Sequence, residues 1–102
     1  MRRCLVAGNW KMNTSRDEAV SLAGSLAERF ADPGEVEVMV APPFPWLDRV
    51  ASVLAGSAVS LGAQNAWHEP SGAFTGEVSL QMIREAGCRW VILGHSERRH
   101  VL

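Results

Sequence analysis

At 102 residues the chain suits one small domain or part of a larger one. Hydrophobic residues make up 47% and charged residues 21%, the balance of an ordinary globular protein. A net charge of −1 leaves no basic footprint for nucleic acid and no polybasic patch for a membrane surface, and no apolar stretch nears the roughly 20 residues of a membrane helix.

Met1-Arg2-Arg3 ahead of Cys4-Leu5-Val6-Ala7-Gly8 has the outline of a secretory signal. The apolar run is too short for one and is broken by Asn9-Trp10-Lys11, so a cytoplasmic location is expected. Leu5-Val6-Ala7 predicts the first strand. A helix then starts at the capping box Ser15-Arg16-Asp17-Glu18. Ala19, Leu22, Ala23, Leu26, Ala27 and Phe30 recur at helical spacing and predict one apolar stripe, ended by Asp32-Pro33-Gly34. Val36 to Ala41 predicts the second strand, stopped by Pro42-Pro43. Trp46, Leu47, Val50, Ala51 and Leu54 form a second helical stripe, closed by Gly56.

Ala58 to Ala63 predicts the third strand, and a long polar loop follows from Gln64 to Val78. Its segment Gly72-Ala73-Phe74-Thr75-Gly76-Glu77 predicts an exposed phenylalanine between glycines, either an interface element or a lid. Ser79 can cap a short helix over Leu80 to Ala86, with Gly87 as its stop. Arg89 to Gly94 predicts the fourth strand, with Trp90-Val91-Ile92-Leu93 as a buried run. Cys4 and Cys88, far apart and in apolar settings, are expected as buried thiols rather than a disulfide.

The order βαβαβαβ predicts a parallel sheet covered by helices, either a doubly wound layer or part of a (β/α)8 barrel. In both, chemistry gathers at the carboxyl ends of the strands. Parallel strands would bring Asn9, Lys11 and Asn13, then Gln64, Asn65 and His68, then His95, Ser96 and Glu97 to one rim. Lys11 reads as an anion clamp or as a surface lysine. His95 opens a polar run that can begin a helical turn. The positive end of such a turn favours neutral imidazole, which can pass a proton to a substrate oxygen; the alternative is a histidine that caps the turn. Glu97 reads as a buried acid or as an ion-pair partner of Arg98, Arg99 or Lys11.

Gly94-His95-Ser96-Glu97-Arg98 shares three letters with the hydrolase elbow G-x-S-x-G, but Arg98 stands where that strained turn needs glycine. His95 and His100 are five apart, whereas one helix face needs three or four, so no metal site is expected.

Five segments, in this order, carry a resemblance. They are Ala7-Gly8-Asn9-Trp10-Lys11-Met12-Asn13, Ala41-Pro42-Pro43-Phe44, Gly62-Ala63-Gln64-Asn65, Gly72-Ala73-Phe74-Thr75-Gly76-Glu77-Val78-Ser79 and Gly94-His95-Ser96-Glu97-Arg98-Arg99. Together they resemble the triosephosphate isomerase family. The resemblance implies a TIM barrel and interconversion of dihydroxyacetone phosphate with glyceraldehyde 3-phosphate, in glycolysis and gluconeogenesis, with no cofactor. It implies that Lys11 faces the phosphate and the enediolate oxygen, that Asn9 binds substrate, and that neutral His95 shuttles protons. Ser96 and Glu97 would support the site, Glu97 near Lys11. Gln64, Asn65, Phe74, Thr75 and Gly76 would belong to a homodimer loop, with Thr75 reaching the partner subunit's site.

That family's barrels run to about 250 residues. Residues 1–102 are accordingly expected as the amino-terminal part of one TIM-barrel domain, a half barrel of four strands ending just after the fourth. The glutamate base, the closing lid and the glycine-rich phosphate loops have no match here. The expectation for these residues alone is therefore no activity, and the alternative function is a non-catalytic, self-associating half barrel with open strand edges.

Overall fold

The computed structural model describes residues 4–94. It contains β1 (Cys4–Asn9), α1 (Arg16–Arg29), β2 (Val36–Ala41), a 3-10 turn (Phe44–Trp46), α2 (Leu47–Leu54), β3 (Val59–Ala63), α3 (Leu80–Glu85) and β4 (Trp90–Val91). All strand pairs are parallel and the sheet order is β1-β2-β3-β4. Each strand thus lies beside its sequence neighbour, and the sheet curls as half of a barrel rather than reversing as a doubly wound layer does.

α1 starts where its polar residues can satisfy its first N–H groups. Glu18 N–H donates to Ser15 Oγ at 3.2 Å, and Ser15 N–H donates to Glu18 Oε1 at 2.9 Å. The Ser15 backbone N–H, and after it the Ser15 side chain, hold the Glu18 carboxyl below its ordinary range. Ala19 and Ala23 are fully buried, and α1 packs on α2. Leu22 falls off this face: it lies about 60° from the Ala19 direction on a helical wheel and is 42% exposed. α3 ends as its glycine requires. Gly87 takes φ 101°, and Cys88 N–H donates back to the Ile83 carbonyl at 3.1 Å. That is a left-handed stop in which a side chain would be strained.

The strand register sorts residues onto two faces. Val38, Val40, Val59 and Leu61 meet Val50, Leu54, Ala19 and Ala23 in the core. The opposite face carries Glu37, Met39 and Ala41 of β2, aligned with Leu5, Ala7 and Asn9 of β1. Met39 lies across Gly62, where an added Cβ would stand 2.6 Å from its sulfur. Near the amino ends of the strands, the buried Glu37 carboxylate lies 3.9 Å from the Arg89 guanidinium.

Three expectations are corrected here. Trp90 to Leu93 is not a buried run: β4 pairs with β3 alone among the described residues, and Leu93 is 65% exposed. Its backbone is nonetheless tied to β3, since Arg89 N–H donates to the Leu61 carbonyl and Ile92 N–H to the Ala63 carbonyl, each at 2.8 Å. Cys4 is exposed, because it begins the edge strand β1. Only Cys88 behaves as a packed thiol, and burial pushes its pKa up to about 11. Phe74 is half-buried rather than an exposed tip, its ring 5.1 Å from that of Trp67.

Candidate functional site

The carboxyl ends of the parallel strands form one rim, and the segment leaving β1 dominates it. Trp10 N–H donates to the Ala41 carbonyl at 3.1 Å, carrying the β1–β2 pairing one step past the strand. The backbone then turns sharply. Lys11 has φ 55° and Thr14 has φ 82°. Left-handed backbone in residues with a Cβ is strained by about 1–2 kcal/mol each.

Side chains hold this strained segment. Asn9 Oδ1 accepts the Lys11 N–H at 2.9 Å. The Asn13 side-chain amide donates to the Trp10 carbonyl at 2.8 Å. The Trp46 indole N–H donates to the Thr14 carbonyl at 3.2 Å. Gln64, the first residue after β3, donates through Nε2 to the Lys11 carbonyl at 2.8 Å and to the Ala41 carbonyl at 2.9 Å. Trp10 itself packs against the core and roots the turn, and Lys11 beside it is exposed.

Of the rim residues expected from sequence, Asn9, Lys11, Asn13 and Gln64 therefore come together. Asn65 follows half-buried. His68 does not join them: it is exposed, lies 3.8 Å from Glu69 and stacks obliquely on Trp67. In the loop 64–79, Thr75 and Gly76 are exposed beyond Phe74. That loop is braced by Trp67, whose N–H donates to the Val78 carbonyl at 2.8 Å. His95, Ser96 and Glu97 lie outside the described residues.

One contributor, Trp46, escapes a reading of the sequence, and so do the partners of Gln64, a residue the sequence does place on the rim. Trp46 looks like a core position of a helical stripe, yet its indole N–H reaches back 32 positions to Thr14. Gln64 looks like the start of a polar loop, and nothing in its neighbours signals a double donation to the ends of the first two strands.

The family model for triosephosphate isomerase matches residues 4–102. The chain belongs to the triosephosphate isomerase family. It is 52% identical to the triosephosphate isomerase of Herpetosiphon aurantiacus over 99 residues, covering 97% of this chain and 40% of that relative. The enzymes of Symbiobacterium thermophilum (52% identity) and Rhodopirellula baltica (48%) each align over 101 residues, covering 99% of this chain and 40% of each relative. The chain thus spans about two-fifths of the length of these curated relatives. No helix among the described residues is long and apolar enough to cross a membrane.

Within the triosephosphate isomerase family the described rim corresponds to one sector of a barrel mouth. It offers a cation on a backbone turn held by neighbouring side chains, with amide groups beside it. Such an arrangement can stabilise negative charge on a phosphate or on a developing oxyanion.

Proposed function

We propose that the chain supplies the amino-terminal four β/α units of a triosephosphate isomerase barrel, one domain that interconverts dihydroxyacetone phosphate and glyceraldehyde 3-phosphate in the cytoplasm. One observation carries the reading: at the strand-end rim, Lys11 is held in a left-handed turn closed by the Asn9 side chain. The family match over residues 4–102 supports it.

Aldose–ketose interconversion removes a proton from carbon and moves negative charge onto an oxygen. The Lys11 ammonium stabilises that charge and the substrate phosphate together. Asn9 helps to bind substrate. Neutral His95 polarises the carbonyl and moves protons between the two oxygens, supported by Ser96 and Glu97. The base that takes the carbon-bound proton comes from the part of the relatives that this chain does not match. Gln64, Asn65, Phe74, Thr75 and Gly76 contribute a homodimer face, with Thr75 reaching the site of the second subunit.

The test is an isomerase assay of the 102 residues alone and after addition of the polypeptide covering the unmatched part of a relative. Turnover is expected only when both are present and their complex is seen by light scattering. A stable complex without turnover would sink the proposal.

A second reading, a self-associating half barrel without catalysis, draws on the sheet edges. Val6 of β1 is 57% exposed and Leu93 beyond β4 is 65% exposed, and such apolar edges are templates for pairing. A solution mass that is a multiple of 11.1 kDa is expected at micromolar concentration. A monomer mass there would rule this reading out.

A further inference from the structure

We propose that Gln64 is a positioning residue for Lys11: its side-chain amide holds Lys11 in the left-handed conformation and so sets where the ammonium points. The inference rests on the reading of Lys11 as the cation that faces the substrate anion.

A lysine at φ 55° does not stay there unaided, because its Cβ crowds the following carbonyl. What keeps it there is a bond on each side of its α-carbon. Its N–H is taken by Asn9 Oδ1, and its carbonyl accepts from Gln64 Nε2. With both peptide planes pinned, the direction of the Cα–Cβ bond is set before substrate arrives.

Gln64 suits the task by its chemistry. One nitrogen carries two hydrogens, and both are used, on the Lys11 and Ala41 carbonyls. Ala41 also accepts the Trp10 N–H, so its two lone pairs are occupied. The amide therefore ties the exits of β1 and β2 to the end of β3. Asparagine is one methylene shorter at this strand-end position, glutamate brings no donor when ionised, and methionine fills the space without bonding.

The experiment is NMR of the isotope-labelled full chain. In the wild-type chain the Gln64 side-chain amide protons are expected to exchange at least about tenfold more slowly than those of free glutamine. In Gln64→Met, the Lys11 backbone shifts are expected to leave the left-handed range. The response of its Nζ to inorganic phosphate is expected to weaken about tenfold, while the Ala19, Ala23 and Val50 amides keep their positions.

Gln64→Glu adds a readout that a merely structural role would not move. When its carboxyl is protonated it donates one hydrogen bond, and the left-handed Lys11 signals are expected to return. When ionised it opposes two carbonyl oxygens, and they are expected to vanish. Lys11 signals that stay left-handed in Gln64→Met, or wild-type Gln64 protons that exchange as in free glutamine, overturn the proposal. If Gln64→Met does not fold, the wild-type exchange and the pH response of Gln64→Glu decide. A wild-type chain whose Lys11 ignores phosphate, yet whose Lys11 backbone depends on Gln64, removes the anion reading and leaves the positioning role standing.

Discussion

Replacing Lys11 with alanine is expected to lower the isomerase turnover of the assembled barrel by about a thousandfold. The estimate follows from charge. A unit positive charge about 4 Å from a developing oxyanion contributes roughly 4 kcal/mol at the effective dielectric of a protein surface, and each 1.36 kcal/mol is about tenfold in rate. On the proposed reading the same ammonium also faces the substrate phosphate, so KM is expected to rise as well. Loss of fold does not explain such a result. Lys11→Gly removes the charge but relieves the left-handed strain at φ 55°, so it is expected to be as stable as the parent or more so, and equally slow. Steady-state kinetics of both variants, beside their urea midpoints, check this. Turnover within tenfold of the parent in either one would remove Lys11 from the chemistry.

The largest effect on stability is expected at Leu61. It sits at the centre of β3, is 4% exposed, and packs in the cluster with Val40, Val50 and Leu54. Truncation to alanine leaves a cavity between sheet and helices, and such changes destabilise by about 2–5 kcal/mol. Small domains are stable by only about 5–15 kcal/mol in total. Leu61→Ala is therefore expected to shift the urea midpoint far down with little change in slope. Leu22→Ala serves as the contrast: at 42% exposure it is expected to cost less than about 1 kcal/mol. Equal shifts for the two would contradict the placement of the core on the Leu61 face of the sheet.

The face of the sheet opposite the helices bears on both expectations. Met39 fills the space over Gly62, and Glu37 with Arg89 occupies the amino-terminal end, so β2 and β3 are covered on this side as well. The outer strand β1 is not: Leu5 remains exposed on this face, and its neighbour Val6 is exposed on the other. An environment that closes this edge would raise the stability of β1, and with it the rigidity of Asn9 and Lys11 at its exit.

Much of this architecture is legible from local pattern. The capping box at Ser15 and Glu18 predicts the start of α1, and it is present. Val36 to Ala41 is a strand over the predicted span. Ser79 caps α3 and Gly87 ends it. These are short-range signals, decided by hydrogen bonds between residues three or four apart and by backbone preferences of single residues. The pairing of Asn9 with Lys11 at the strand exit belongs to the same class, since its partners are two positions apart.

What the sequence by itself determined is the order of elements, their caps and stops, and which residue types stand at the strand ends. What only the tertiary structure decided is how the rim is held. Gln64 meets the Lys11 carbonyl across 53 positions and the Ala41 carbonyl across 23, and Trp46 meets Thr14 across 32. No local pattern carries these contacts, because they exist only once parallel pairing has brought three strand ends side by side. The same holds for burial. Trp90 to Leu93 is as apolar as a core strand, but burial depends on neighbours on both sides, and β4 has one among the described residues.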